Sequence, residues 1–168
     1  MVLAALLACV HPAPPADVGH GRAIEIVPML TSAETGEVRV ASADPWMSVV
    51  AAHGFKPAAS TRATALASQF RATRSAEQHV AFARADGVVL LLEVRPVFFS
   101  LMNGRYRWTA GVDVALLEPG HDPVRQSFDV PVFLEHQHER EAEVLAAATP
   151  AIARRLGRML DDQAASTP

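Results

Sequence analysis

The chain has 168 residues, half of them apolar, with a single cysteine and a net charge of −3. That length suits one domain with a substantial core, and the charge excludes a basic field that would draw nucleic acid or anionic lipid. One cysteine excludes an internal disulfide and any multi-cysteine metal or redox motif, and no apolar run reaches the length of a membrane-spanning helix. Lys56 is the only lysine beside fourteen arginines, a bias of base composition in a GC-rich bacterial genome rather than a binding device.

Residues 1 to 8 are apolar, and Leu6-Leu7-Ala8-Cys9 resembles the bacterial lipobox: an aliphatic residue, a tolerant position, a small residue, then cysteine. Each part has a chemical reason. The small residue lets a peptidase reach the bond before Cys9, and the thiol accepts a diacylglyceryl group. The stretch "VHPAPPADVGHG" then serves as a tether, because its prolines stiffen the chain and remove backbone donors. No lysine or arginine precedes Cys9, although a signal peptide has a positive n-region, so the true start is expected upstream. The expected organisation is a signal remnant (1–8), a tether (9–21), one globular domain (22–163) and a tail (164–168).

From Arg22 the pattern is that of a folded domain. "AIEIVPML" alternates and predicts a strand ending near Pro28; "TSAETGEVRVASA" is polar and predicts a loop. Asp44-Pro45 predicts a helix start with Asp44 as cap, carrying Trp46, Val49, Val50 and His53 on one face and stopping at Gly54. "FKPAAS" fits a short edge strand that tolerates Pro57. Two helices are predicted next, one over 61–73 and one after a capping-box spacing at Ser75 and Gln78, ending at Asp86-Gly87. "VVLLLEVR" (88–95) then reads as a central strand.

Asn103-Gly104 is the strongest turn signal in the chain. A two-residue turn places Met102 opposite Arg105, Leu101 opposite Tyr106, Ser100 opposite Arg107 and Phe99 opposite Trp108. One face then carries Val97, Phe99, Leu101, Tyr106 and Trp108 toward the core. The other carries Phe98, Ser100, Met102, Arg105, Arg107 and Thr109. The apolar phase of residues 88–94 differs from that of Val97 by one, which predicts a bulge or break at Arg95-Pro96. A further strand is predicted through Phe128, Val130 and Val132. A last helix begins near Glu139 with Val144, Leu145, Ala148, Ile152, Leu156 and Met159 on one stripe, kinked or divided at Pro150. These elements predict an α/β fold, a two-layer sandwich of a mainly antiparallel meander sheet with helices on one face.

In element order, with "WMSVVAAHGFKPAAS" as helix and strand and "ARADGVVLLLEV" as helix, turn and strand, the chain resembles small bacterial envelope lipoproteins with a TolB N-terminal-like domain. These are related to the curli-secretion and penicillin-binding-protein-activator lipoproteins, and auxiliary lipoproteins of envelope ABC transporters share much of the pattern. The resemblance spans most of residues 22–163. It implies a non-enzymatic binding or assembly accessory of an envelope protein complex, such as one for transport or secretion. It also implies a lipid anchor in the membrane, facing the periplasm, with the outer membrane favoured over the inner.

No phosphate-cradling loop, GxSxG elbow or HExxH helix occurs, and no cofactor is implied. The expected partner surface is the hairpin face with Phe98, Met102, Arg105 and Arg107, since aromatics, methionine and arginine are enriched where proteins meet. The competing reading is a soluble enzyme or metal-binding protein using His136 and His138 in "FLEHQHERE". On a strand these two would point the same way; on a helix they would lie about 200° apart and could not share an ion.

Overall fold

The structure, a computed structural model, describes residues 21–65, 87–102, 105–135 and 141–166. β1 (Ala23–Thr31) follows the predicted alternation, with Ile24 and Ile26 fully buried on one face. It does not stop at Pro28. β3 (Lys56–Ala59) pairs in parallel with residues 23–26 along one edge of β1, and β2 (Val38–Val40) pairs antiparallel with 29–31 along the same edge. The carbonyl of Pro28 accepts from the Ala41 amide at 3.0 Å on that side, so its missing N–H falls in the gap between β3 and β2, where no ladder bond is lost. The predicted loop after Thr31 is thus a tight turn and a short strand, closed by the Ser32 amide on the Glu37 carbonyl at 2.9 Å.

α1 (Asp44–Ala52) begins one residue earlier than predicted. Ala43 is the cap, Asp44 lies in the first turn, and the Asp44 amide is bonded to the Ser42 hydroxyl at 3.2 Å. Gly54 ends the helix at φ +83°, a conformation that costs glycine nothing. Of the helix expected over 61–73, residues 63–65 are helical and Ala63 is buried. The remainder of it and the element after Ser75 lie outside the described residues.

β4 (Val88–Met102), β5 (Arg105–Leu117) and β6 (Val124–Leu134) form the expected meander. The join to the rest differs: β1 lies beside β4 and parallel to it, Ile24 opposite Val88 and Leu30 opposite Val94. The result is a six-stranded sheet in the order β2-β1-β4-β5-β6, with β3 sharing the β2 edge of β1, and three of its five pairings antiparallel. This is the mixed α/β sandwich the sequence predicts.

α2 (Glu141–Ser166) is a single helix with Pro150 inside it, not a divided pair. The Thr149 hydroxyl donates to the Leu145 carbonyl at 2.8 Å, and Pro150 sits on the exposed side, where water can satisfy the carbonyl its ring leaves unbonded. Val144, Ala148, Ile152, Leu156 and Leu160 are fully buried against the sheet. With Trp46 and Val50 of α1 they meet Ile24, Ile26, Leu90, Leu92, Val112 and Val114 in the main core. Each such aliphatic side chain contributes roughly 1.5–3 kcal/mol. The opposite sheet face is also buried at one end, where Val27, Met29, Val89, Leu91, Ala115 and Leu117 pack with Ala63. That second cluster explains why Val88–Leu92 is apolar on both faces.

Candidate functional site at the hairpin tip

β4 has 15 residues and β1 has nine, and the two lie in parallel register only up to Leu30 and Val94. β4, with β5 beside it, therefore runs on past the end of β1 as a projecting tip. The large exposed hydrophobic side chains concentrate there: Val97 (45 %), Phe98 (49 %), Phe99 (64 %) and Leu101 (58 %), with Phe133 of β6 at 53 %. Scattered exposed apolar residues need no explanation, but a cluster of this size on one projection does.

The register near the turn is as predicted, Met102 opposite Arg105, Leu101 opposite Tyr106 and Ser100 opposite Arg107; Asn103 and Gly104 lie outside the described residues. The bulge is real but sits between Phe98 and Ser100, not at Arg95-Pro96. Phe99 is the extra residue, so Phe98 rather than Phe99 stands opposite Trp108. This shift corrects the predicted faces. Phe98 meets Trp108 edge to face with ring centroids 5.3 Å apart and lies 6.3 Å from Tyr106. Trp108 in turn packs against the main core. Phe99 is on the other face, under the Arg107 guanidinium, whose carbon is 4.6 Å from the ring centroid. Arg107 is opposite Phe133.

Of the four expected partner residues, the structure therefore keeps Arg105 and Arg107 together and puts Phe98 across the sheet from them. Met102 is described by its backbone, which pairs with Arg105. Sequence reasoning missed Phe99, Leu101 and Phe133. Their alternation reads as core, and the structure leaves them exposed where β4 runs past the end of β1. Cys9, His136 and His138 lie outside the described residues.

A belt of polar side chains separates the tip from the second apolar cluster. Glu93, buried at 4 % exposure, accepts from the Thr31 hydroxyl at 2.6 Å. Arg95 reaches Asp113 at 2.7 Å, and Asp113 also accepts from Ser127 at 2.5 Å. Beyond this belt no acidic residue occurs between Glu93 and Asp113, so the tip itself carries Arg105 and Arg107. Beside the tip lies a cleft of about 860 Å³ lined by Leu30, Glu34, Glu37, Pro96, Phe98 and Trp108. At one end of it Arg39 pairs with Glu141 at 2.7 Å.

The ion pair of Glu25 and Arg62 is remote from the tip. Burial pushes the Glu25 carboxyl up, but hydrogen bonds from Arg62 and Ser60 outweigh it and hold the group below the ordinary carboxylate value. The same bond raises the Arg62 guanidinium. Among the described residues no group of three His, Cys, Asp or Glu side chains is placed to hold a metal ion, and no helix is long and apolar enough to cross a membrane.

No family model matches the chain, and no curated protein matches it in sequence. Among solved structures it is similar to rare lipoprotein B from Shewanella oneidensis, with 11% identity and a TM-score of 0.36 over 84% of this chain and 94% of the other. It is similar to lipoprotein GNA1162 from Neisseria meningitidis, with 10% identity and a TM-score of 0.39 over 83% and 99% of the two chains. It is also similar to a DUF330 protein from Xanthomonas campestris, with 17% identity and a TM-score of 0.42 over 92% and 93%. Bacterial lipoproteins are thus among its structural neighbours.

Proposed function

We propose that the protein is a lipid-anchored, non-enzymatic binding module of the bacterial cell envelope, held by Cys9 and presenting the hairpin tip to a protein partner. The observation that carries this reading is the set of exposed apolar side chains on the tip, with Arg105 and Arg107 among them. Aromatics and arginine are the residue types that anchor interface centres. The lipobox-like residues before Cys9, the proline tether and the TolB N-terminal-like element order support the envelope assignment.

The topology gives the reading a direction. The tether leads into β1, and β1 starts beside Val88, at the base of β4. The tip is the length of β4 away, about 45 Å at some 3.3 Å per residue. An anchored domain thus offers its sticky end away from the point of attachment, toward a partner on the far side. Tethering also raises effective concentration, so a modest contact suffices.

Intact mass of the membrane fraction, from a gene with its native upstream sequence, tests the anchor. The expected species begins at acylated Cys9, and Cys9→Ser releases the protein to the soluble fraction, since several acyl chains together hold firmly. An unmodified chain retaining Met1 in the cytosol refutes the reading. For the tip, Phe99→Ser with Arg105→Glu is expected to abolish capture of the partner identified by crosslinking from position 101, with the thermal melt unchanged.

A further inference from the structure

We propose that the open edge of β4, from Pro96 to Met102, pairs antiparallel with the same edge of a second copy of this chain. Among the described residues no strand hydrogen-bonds to β4 beyond Val94 on the side that β1 occupies lower down. An unpaired strand edge is a template for another strand, and proteins guard such edges with charge or proline. The other edges here follow that rule: β2 carries Arg39, β3 carries Lys56 and Pro57, and β6 carries Arg125, Asp129 and Pro131. The β4 edge has a proline only at its start, Pro96, near the end of β1. After Pro96 it reads Val-Phe-Phe-Ser-Leu-Met, uncharged, with apolar side chains exposed on both faces.

Charge selects the occupant and its direction. At the Pro96 end, the turn from Ser32 to Glu37 places Glu34 and Glu37 on the cleft that Pro96, Val97 and Phe98 also line. At the other end stands Arg105, opposite Met102. A parallel neighbour would set like charges side by side. An antiparallel second copy, with the two-fold axis near Phe99, sets Arg105 of each copy beside Glu34 and Glu37 of the other. The same axis brings the two bulges together, so both strands bend at one place. Apolar edge and opposed charges are satisfied by one symmetric, closed arrangement. The inference goes beyond the proposed function and needs neither the lipid nor a second kind of protein.

The test is sedimentation equilibrium on the full chain across micromolar concentrations. A monomer–dimer equilibrium is expected. Phe99→Lys with Leu101→Lys should leave only monomer, with an unchanged melt because both side chains are exposed. Arg105→Glu should weaken association about tenfold, and adding Glu34→Arg and Glu37→Arg to the same chain should restore it. In a Cys9→Ser background, Phe99→Cys should form a disulfide-linked dimer and Val124→Cys should not. A chain that stays monomeric, a charge swap without rescue, or crosslinking through position 124 overturns the proposal. None of these outcomes touches acylation of Cys9, so the anchor and the pairing fail separately.

Discussion

Nδ1 of His53, at the end of α1, lies 2.5 Å from Oδ1 of Asp161 in α2. The other edge of the same ring faces Gly157: a methyl group placed there would come within 2.5 Å of Nε2. The ring therefore fills a space that only glycine leaves open, and it ties the two helices together over the sheet. Gly157→Ala is expected to destabilise the fold by about 1–3 kcal/mol, because the ring must shift and its bond to Asp161 with it. Urea unfolding would measure this. A neutral result would mean that the ring swings freely into solvent and that the contact between the helices does not depend on it.

Trp46 is the largest fully buried side chain and packs in the main core. Trp46→Ala should cost about 3–5 kcal/mol. Trp108 is only partly buried against that core, so Trp108→Ala should cost clearly less. Thermal melts of the two variants, run side by side, would rank them.

The bulge predicts unequal effects for two adjacent phenylalanines. Phe98 packs edge to face on Trp108, whereas Phe99 lies under Arg107 at 64 % exposure. Phe98→Ala should destabilise by about 1 kcal/mol and shift the tryptophan emission. Phe99→Ala should stay within about 0.5 kcal/mol and leave the emission unchanged. The reverse ranking would mean that the register shift lies elsewhere in the strand.

Glu25, Arg62 and Ser60 supply a pH-dependent contribution. The Glu25 carboxyl is held below its ordinary value, so its stabilisation is present above the unfolded-state value and is lost as pH falls through the lower, folded value. Arg62 is 39 % exposed, which screens the pair and limits it to about 0.5 kcal/mol. Glu25→Gln should therefore be slightly destabilised near neutrality and match the parent in strong acid. Chemical denaturation at the two pH values would check the sign.

How much of this was legible in the sequence depended on whether the signal was local. The alternation of Ile24 and Ile26, the stripe from Val144 to Leu156 and the register at Met102 and Arg105 all follow from neighbours along the chain. Pro28 inside β1 departs from expectation, and Pro150 leaves α2 undivided, because the proline rule is local while its exception is not. Pro28 is tolerated by the gap between two strands brought in from elsewhere, and Pro150 by facing water. The faces of the hairpin diverge from expectation for the same reason. A shift of one residue in phase announced the bulge, but any position from Arg95 to Phe99 satisfies it. The pairing with Trp108 sets the place, and with it the face of each phenylalanine.

The parallel seat of β1 beside β4 has a consequence for how the chain acquires its shape. β4, β5 and β6 pair through short connections, so their loop closure is fast and needs nothing from the N-terminal half. Ile24 finds Val88 only across the whole intervening chain. During synthesis, "AIEIVPML" leaves the ribosome well before β4 and stays without its principal neighbour until the central strand has followed. The parallel pair can close only once β4 has followed, and closing it joins the two halves of the chain.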